Sequence, residues 1–171
     1  MKIFIIGYMY SGKTTVGKQL AKKLNYDFLD TDVLFETQYQ TTIPNFFAEH
    51  GETAFRASER KILEDLKNYP NNVVISTGGG FPCFNNNMEL MRELGIVIYL
   101  EASTGAIYNR FEKSNFPRPL LAGLSKEEAL KKIKNHLYER EPFYKQANIT
   151  LSAENVNLDA LLQILNLSYG R

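Results

Sequence analysis

The segment that most limits the possible folds lies near the start of the chain. An apolar run, Ile3-Phe4-Ile5-Ile6, leads directly into Gly7-Tyr8-Met9-Tyr10-Ser11-Gly12-Lys13-Thr14. This is the G-x-x-x-x-G-K-[ST] pattern, with the preceding strand and following helix that give it meaning. Its glycines allow tight backbone turns, so successive N–H groups point into a concavity sized for a phosphate. A helix opening at Lys13 adds the partial positive charge of its N-terminus. Lys13 can reach outer phosphates, and the Thr14 hydroxyl is a ligand for Mg²⁺. Contacts to a nucleoside triphosphate are therefore expected along Gly7, Tyr8, Met9, Tyr10, Ser11, Gly12, Lys13, Thr14 and Thr15. The plainer alternative is a chance glycine-rich turn, which the register of strand, loop and helix disfavours.

The rest of the chain alternates strand and helix patterns. Val16, Leu20, Ala21 and Leu24 line one face of the first helix, with Lys18, Lys22 and Lys23 elsewhere. A short strand over 26–29 ends at Asp30. Helical patterns follow over 33–39, 44–50 and 52–66. Val73-Val74-Ile75 then runs into Ser76-Thr77-Gly78-Gly79-Gly80, and a strand over 96–100 precedes a helix over 103–111. Residues 112–123, with Pro117-Arg118-Pro119, read as a loop long enough to act as a mobile lid. A long helix starts at Ser125, with Glu127 and Glu128 in its first turn. A strand over 149–151 and a helix over 158–167 close the chain. Continuous Val/Ile strands alternating with helices imply a parallel sheet covered on both faces, an α/β/α sandwich.

The 171 residues suit one domain, expected to be a single unit over 1–171. Apolar content of 44%, charged content of 23% and a net charge of +1 point away from a nucleic-acid surface. The single cysteine, Cys83, excludes an internal disulfide and a cysteine metal cluster, and reads as a small filler in a loop. The opening apolar stretch breaks at Gly7 without a cleavage-site pattern, and no run is long enough to span a bilayer. A cytoplasmic protein is expected, with no membrane partner. Without a heptad pattern, a monomer is the default.

Ligands of open parallel sheets bind beyond the carboxyl ends of the strands. The phosphate loop, Asp30-Thr31-Asp32 and the triple glycine all follow strands, so they should converge. Two carboxylates beside a nucleotide can divide the work: one serves Mg²⁺ through water, and the other takes a proton from an attacking hydroxyl. Either could instead cap the next helix. Three successive glycines exceed what a turn needs and suggest close approach of a substrate to the backbone. Arg56 shares a helix face with Leu63, and Arg140 extends the stripe Ala129, Ile133, Leu137. Inward arginines need anionic partners: an internal carboxylate such as Glu59 or Glu139, or a small carboxylate substrate held bidentately. Arg118, between two prolines in the expected lid, is a candidate for closing over the transferred phosphate. Arg110 suits either an adenine ring or a solvated helix face.

Taken together, Gly7 through Thr14, Asp30-Thr31-Asp32, Gly51-Glu52-Thr53-Ala54-Phe55-Arg56 with Glu59, Ser76-Thr77-Gly78-Gly79-Gly80, Arg118-Pro119-Leu120-Leu121, and Arg140 with Pro142 and Tyr144 resemble the shikimate kinase family. That resemblance implies the nucleoside monophosphate kinase fold, a five-stranded parallel sheet in the order 2-3-1-4-5. Substrate-binding helices would span about 32–66 and a lid about 112–124. The implied reaction moves the γ-phosphate of ATP to the 3-hydroxyl of shikimate. By resemblance Asp32, Arg56, Arg140, Gly78, Gly79 and Gly80 would hold shikimate, the arginines taking its carboxylate. Thr14 would bind Mg²⁺ with Asp30 nearby, Lys13 and Arg118 would stabilise the moving phosphoryl group, and Arg110 would face the adenine. Gluconate kinase is the nearest rival, and a catalytically silent nucleotide-binding regulator would be expected to lose Lys13, Asp32 or Arg118. Two segments depart from the family's usual pattern: Gln40-Thr41-Thr42-Ile43-Pro44-Asn45 lacks a glycine, and Ser152-Ala153-Glu154-Asn155 lacks an arginine.

Overall fold

A computed structural model of the chain describes residues 1–114, 121 and 123–169. Strand β1 (Lys2–Ile6) lies in the middle of a five-stranded sheet. Strand β3 (Val73–Ser76) lies on one side of it, with β2 (Asp27–Asp30) beyond, and β4 (Ile96–Glu101) on the other, with β5 (Ile149–Ser152) beyond. All four pairings are parallel, and the order is β2-β3-β1-β4-β5, as the resemblance implied.

Side-chain alternation decides which face each residue serves. Phe4 and Ile6 of β1, Val73 and Ile75 of β3, and Val97 and Tyr99 of β4 pack toward one core. Helices α2 (Thr31–Tyr39), α3 (Ile43–Asp65) and α4 (Asn87–Leu94) cover that core. Ile3, Ile5, Val74, Ile96 and Ile98 point the other way, against α1 (Lys13–Leu24) and α7 (Leu158–Tyr169). Most of these strand residues are fully buried, each contributing roughly 1.5–3 kcal/mol of apolar transfer. A third cluster joins Tyr8 to Ile107 and Tyr108 of α5 (Thr104–Glu112), to Leu121, and to Ala129 and Ile133 of α6 (Lys126–Tyr144).

Local chemistry sets the ends of several elements. Ser125 and Glu128 form a reciprocal capping box at the start of α6. Thr42, in the segment lacking the family's glycine, caps α3 by accepting from the Asn45 N–H at 3.3 Å. Gly51 interrupts α3 at φ 78°, ψ 176°, so the two helical patterns read on either side of it are one kinked element. Helix α2 starts two residues earlier than its apolar spacing indicated, because Asp30 caps it through the Asp32 N–H.

Two features escaped the sequence pattern. Helix α4 was not expected: it is only eight residues long, and the sequence reading passed over the segment between the triple glycine and the strand at 96–100. Asn87 is buried and donates to the Phe81 carbonyl at 2.9 Å, anchoring the helix start to the chain that follows the triple glycine. Cys83, expected in a loop, ends a 3₁₀ turn (Phe81–Cys83), where burial pushes its thiol up to about 11. No helix among the described residues is long and apolar enough to cross a membrane.

Candidate active site

The carboxyl ends of β1, β2 and β3 surround a cavity of about 210 Å³ lined by Met9, Tyr10, Gly12, Lys13, Thr14, Thr15, Asp30, Asp32, Ser76, Thr77, Gly78 and Gly79. The three segments expected to converge therefore do so. The register explains it: Ser76 at the end of β3 pairs with both Asp30 and Ile5.

Conformations that favour glycine shape the phosphate loop. Gly7 has φ 146°, and a Cβ there would stand 2.6 Å from the Leu100 carbonyl oxygen. Tyr10 takes φ 61°, an uncommon value for a bulky residue, and its ring meets Phe111 edge-on at 5.8 Å. The buried Lys13 ammonium donates to the Tyr8 carbonyl at 2.9 Å, which folds it back over the loop. Arg110 braces the loop from outside, donating to the carbonyls of Tyr10 at 3.1 Å, Ser11 at 2.6 Å and Ala153 at 2.9 Å. Arg110 is thus no solvated helix-face residue. The segment lacking the family's arginine is also tied down, because Glu154 accepts from the Ser103 N–H at 3.0 Å and its hydroxyl at 2.7 Å.

At the foot of the loop the Thr14 hydroxyl donates to Asp30 at 3.0 Å and lies 3.5 Å from the Ser76 hydroxyl. These are hard oxygen donors, too few to cage a cation alone. They suit Mg²⁺, which keeps several waters and completes its shell with phosphate oxygens. Asp30 caps α2 through the Asp32 N–H, as the capping reading has it, and its other oxygen accepts from Thr14.

Opposite the loop, the triple glycine explains itself. A Cβ on Gly78 would stand 2.8 Å from Asp32 Oδ1, one on Gly79 3.3 Å from Arg140 Nη1, and one on Gly80 2.9 Å from both terminal nitrogens of Arg56. Each glycine makes room for one of the three side chains expected to hold an acceptor. The Gly78 N–H donates to the buried Thr31 hydroxyl at 3.0 Å, and the buried Tyr144 hydroxyl donates to the Gly79 carbonyl at 2.7 Å. Burial holds the Tyr144 phenol well above its usual range, so it stays a donor.

Arg56 is bound on several sides. Its Nη1 meets Glu59 at 2.6 Å, its Nε and Nη2 reach the exposed Glu52 at 3.3 and 3.2 Å, and its Cζ lies 4.0 Å from the Phe84 ring centre. The internal-carboxylate reading is thus correct for Glu59, and sequence gave no sign of Phe84. Glu59 is only 4% exposed, and burial pushes its carboxyl up to about 7 against the opposing pull of Arg56. Arg140, by contrast, forms no ion pair with a carboxylate among the described residues, Glu139 included. It lies 5.5 Å from the centre of the Tyr8 ring. Arg118 and most of the expected lid, residues 115–120 and 122, lie outside the described residues.

A phosphate loop at the tip of β1, a helix start behind it and a polar pocket across the strand ends define a P-loop kinase fold. A family model described as shikimate kinase matches residues 9–166. A curated shikimate kinase from Azobacteroides pseudotrichonymphae is 43% identical over 164 residues, covering 96% of each chain. This chain belongs to the shikimate kinase family. Solved structures agree. The shikimate kinase of Bacteroides thetaiotaomicron superposes with a TM-score of 0.90 at 37% identity, covering 98% of this chain and 97% of that one. The shikimate kinase of Acinetobacter baumannii, in complex with shikimate, gives 0.81 at 34% identity over 97% and 91%.

Proposed function

We propose that this protein transfers the γ-phosphate of ATP to the 3-hydroxyl of shikimate, giving shikimate 3-phosphate and ADP, a step toward chorismate and the aromatic amino acids. The observation that carries the reading is the seating of Asp32, Arg140 and Arg56 against Gly78, Gly79 and Gly80, beside the phosphate loop. Two arginines and an aspartate suit a polyhydroxylated acid.

In this reading ATP lies along Gly7 to Thr15, with Lys13 on its outer phosphates and Arg110 beside the adenine. Arg56 and Arg140 take the shikimate carboxylate, and helices α2 and α3 carry the substrate-binding segment 32–66. Glu59 fixes one edge of Arg56, while exposed Glu52 holds the other weakly enough to give way to a better-placed carboxylate. Asp32 orients the 3-hydroxyl. The hydroxyl oxygen attacks the γ-phosphorus, the bond to the ADP oxygen breaks, and Asp32 receives the hydroxyl proton. Lys13 and Arg118 stabilise charge on the phosphoryl oxygens as it moves, Arg118 from the lid. Thr14 would hold Mg²⁺ with Asp30 behind it, and the ion, when bound, neutralises phosphate charge. The protein acts as a cytoplasmic monomer without nucleic-acid or membrane partners.

ADP release from MgATP, measured in parallel with shikimate and gluconate, tests the reading. Turnover with shikimate alone is expected. Silence with shikimate, or equal turnover with gluconate, would overturn it.

A further inference from the structure

The Tyr8 side chain of the phosphate loop does not line the phosphate pocket. Tyr8 is 1% exposed and packs among Ile107, Leu121, Ala129 and Ile133. Its hydroxyl is hydrogen-bonded to His136 Nδ1 at 3.1 Å, and its ring lies under the Arg140 guanidinium at 5.5 Å. The carbonyl of the same residue accepts from Lys13 at 2.9 Å. Tyr8 therefore touches the lysine of the nucleotide half and the arginine of the acceptor half.

Helix α6 meets this residue with a single face. His136, Arg140 and Tyr144 follow one another at i, i+4 and i+8, so they stack along one line. His136 pins the Tyr8 hydroxyl, Arg140 rests over the Tyr8 ring and beside Gly79, and Tyr144 anchors the Gly79 carbonyl. Arg56 owes its position to Glu59, whereas Arg140 has no carboxylate ion pair among the described residues to do the same. An aromatic face within about 6 Å holds a guanidinium by charge–quadrupole attraction and leaves its N–H groups available at the edge.

We propose that Tyr8 is a positioning residue for the acceptor: its ring is the platform that orients Arg140 toward the substrate carboxylate, and His136 fixes that platform. The proposal rests on the assignment of Arg140 to shikimate. It makes one loop residue serve both substrates, its backbone the nucleotide and its side chain the acid.

The test is steady-state kinetics with ATP and shikimate varied separately. Tyr8→Leu removes the ring and should raise the shikimate KM by roughly three- to thirty-fold, the range set by a cation–π contact. The ATP KM should move by less than about two-fold, because the loop backbone is kept. Tyr8→Phe should recover most of the loss. Replacing Tyr8 by phenylalanine carrying successively more ring fluorines preserves shape while draining the ring quadrupole, so it reports even if Tyr8→Leu fails to fold. The shikimate KM should climb along that series. Tyr8→Leu combined with Arg140→Lys should fall short of additivity. Parallel rises in both KM values, full additivity, or a flat fluorine series would overturn the proposal. If Arg140→Lys itself leaves the shikimate KM unchanged, the acceptor assignment fails and the proposal falls with it. If only Arg140→Lys raises it, the proposal alone is overturned.

Discussion

Around the phosphate loop, the groups that shape the pocket belong to one run of sequence, and its backbone defines their geometry: φ 146° at Gly7, 61° at Tyr10 and 99° at Gly12. Across the same cavity, Asp32, Arg56 and Arg140 come from α2, α3 and α6, and what unites them is the space left by three missing Cβ atoms. The loop takes its shape from these turns, and Arg110 ties three carbonyls together behind it. The acceptor side is held by side chains that hold one another: Glu59 on Arg56, Phe84 under it, Tyr8 under Arg140. A backbone-built site tolerates little change in conformation but, Lys13 and Thr14 apart, much change in side-chain identity. A side-chain-built site is the reverse, and it is where substrate selectivity can be tuned.

The difference predicts unequal responses to substitution. Lys13→Met should have the largest effect, lowering kcat by roughly a thousand-fold while leaving the shikimate KM nearly unchanged, since the lysine serves the moving phosphoryl group. Single-turnover measurements at saturating shikimate check it. A loss below about ten-fold would remove Lys13 from the transition state.

Gly80→Ala should come next. The new methyl would meet Arg56 at 2.9 Å, and Arg56 has little freedom to retreat from Glu59 and Phe84. Displacement of that guanidinium by a fraction of an ångström should raise the shikimate KM by roughly ten- to a hundred-fold, with the ATP KM unchanged. Equal changes in both constants would mean that the two halves are not separately built. Arg56→Lys is milder. It keeps the charge but loses the fork, and should raise the shikimate KM by about ten-fold.

Legibility in the sequence follows the same division. The loop is contiguous, so its pattern, strand and helix could be read together, and strand-end placement correctly brought Asp30-Thr31-Asp32 and the triple glycine to it. Apolar spacing also marked Arg56 and Arg140 as inward. It could not say that Gly78, Gly79 and Gly80 face Asp32, Arg140 and Arg56 respectively, because that depends on how α2, α3 and α6 dock. Phe84 and His136 were invisible for the same reason: each sits in an unremarkable local pattern and matters only through a neighbour distant in sequence. Helix α4 was missed because it is only eight residues long, and the buried Asn87 that anchors it gains its bond from the chain around Phe81.

The last prediction concerns the stability of the acceptor side and reads it by pH. Glu59 has a folded carboxyl at about 7 against an ordinary value of 4.5, raised first by burial and opposed by the charge and hydrogen bond of Arg56. The folded state therefore binds this proton more tightly than the unfolded chain between those values. The resulting stabilisation is fully present below 4.5 and is lost as pH rises through 7. Glu59→Gln removes the titration. In urea unfolding, the wild-type protein should gain stability relative to this variant as pH is lowered from above 7 toward 5, and lose that gain on return. The opposite slope would mean that Arg56 outweighs burial and holds Glu59 below its ordinary range. Glu59 would then be a strongly paired anion, and the acceptor side would be as fixed as the loop it faces.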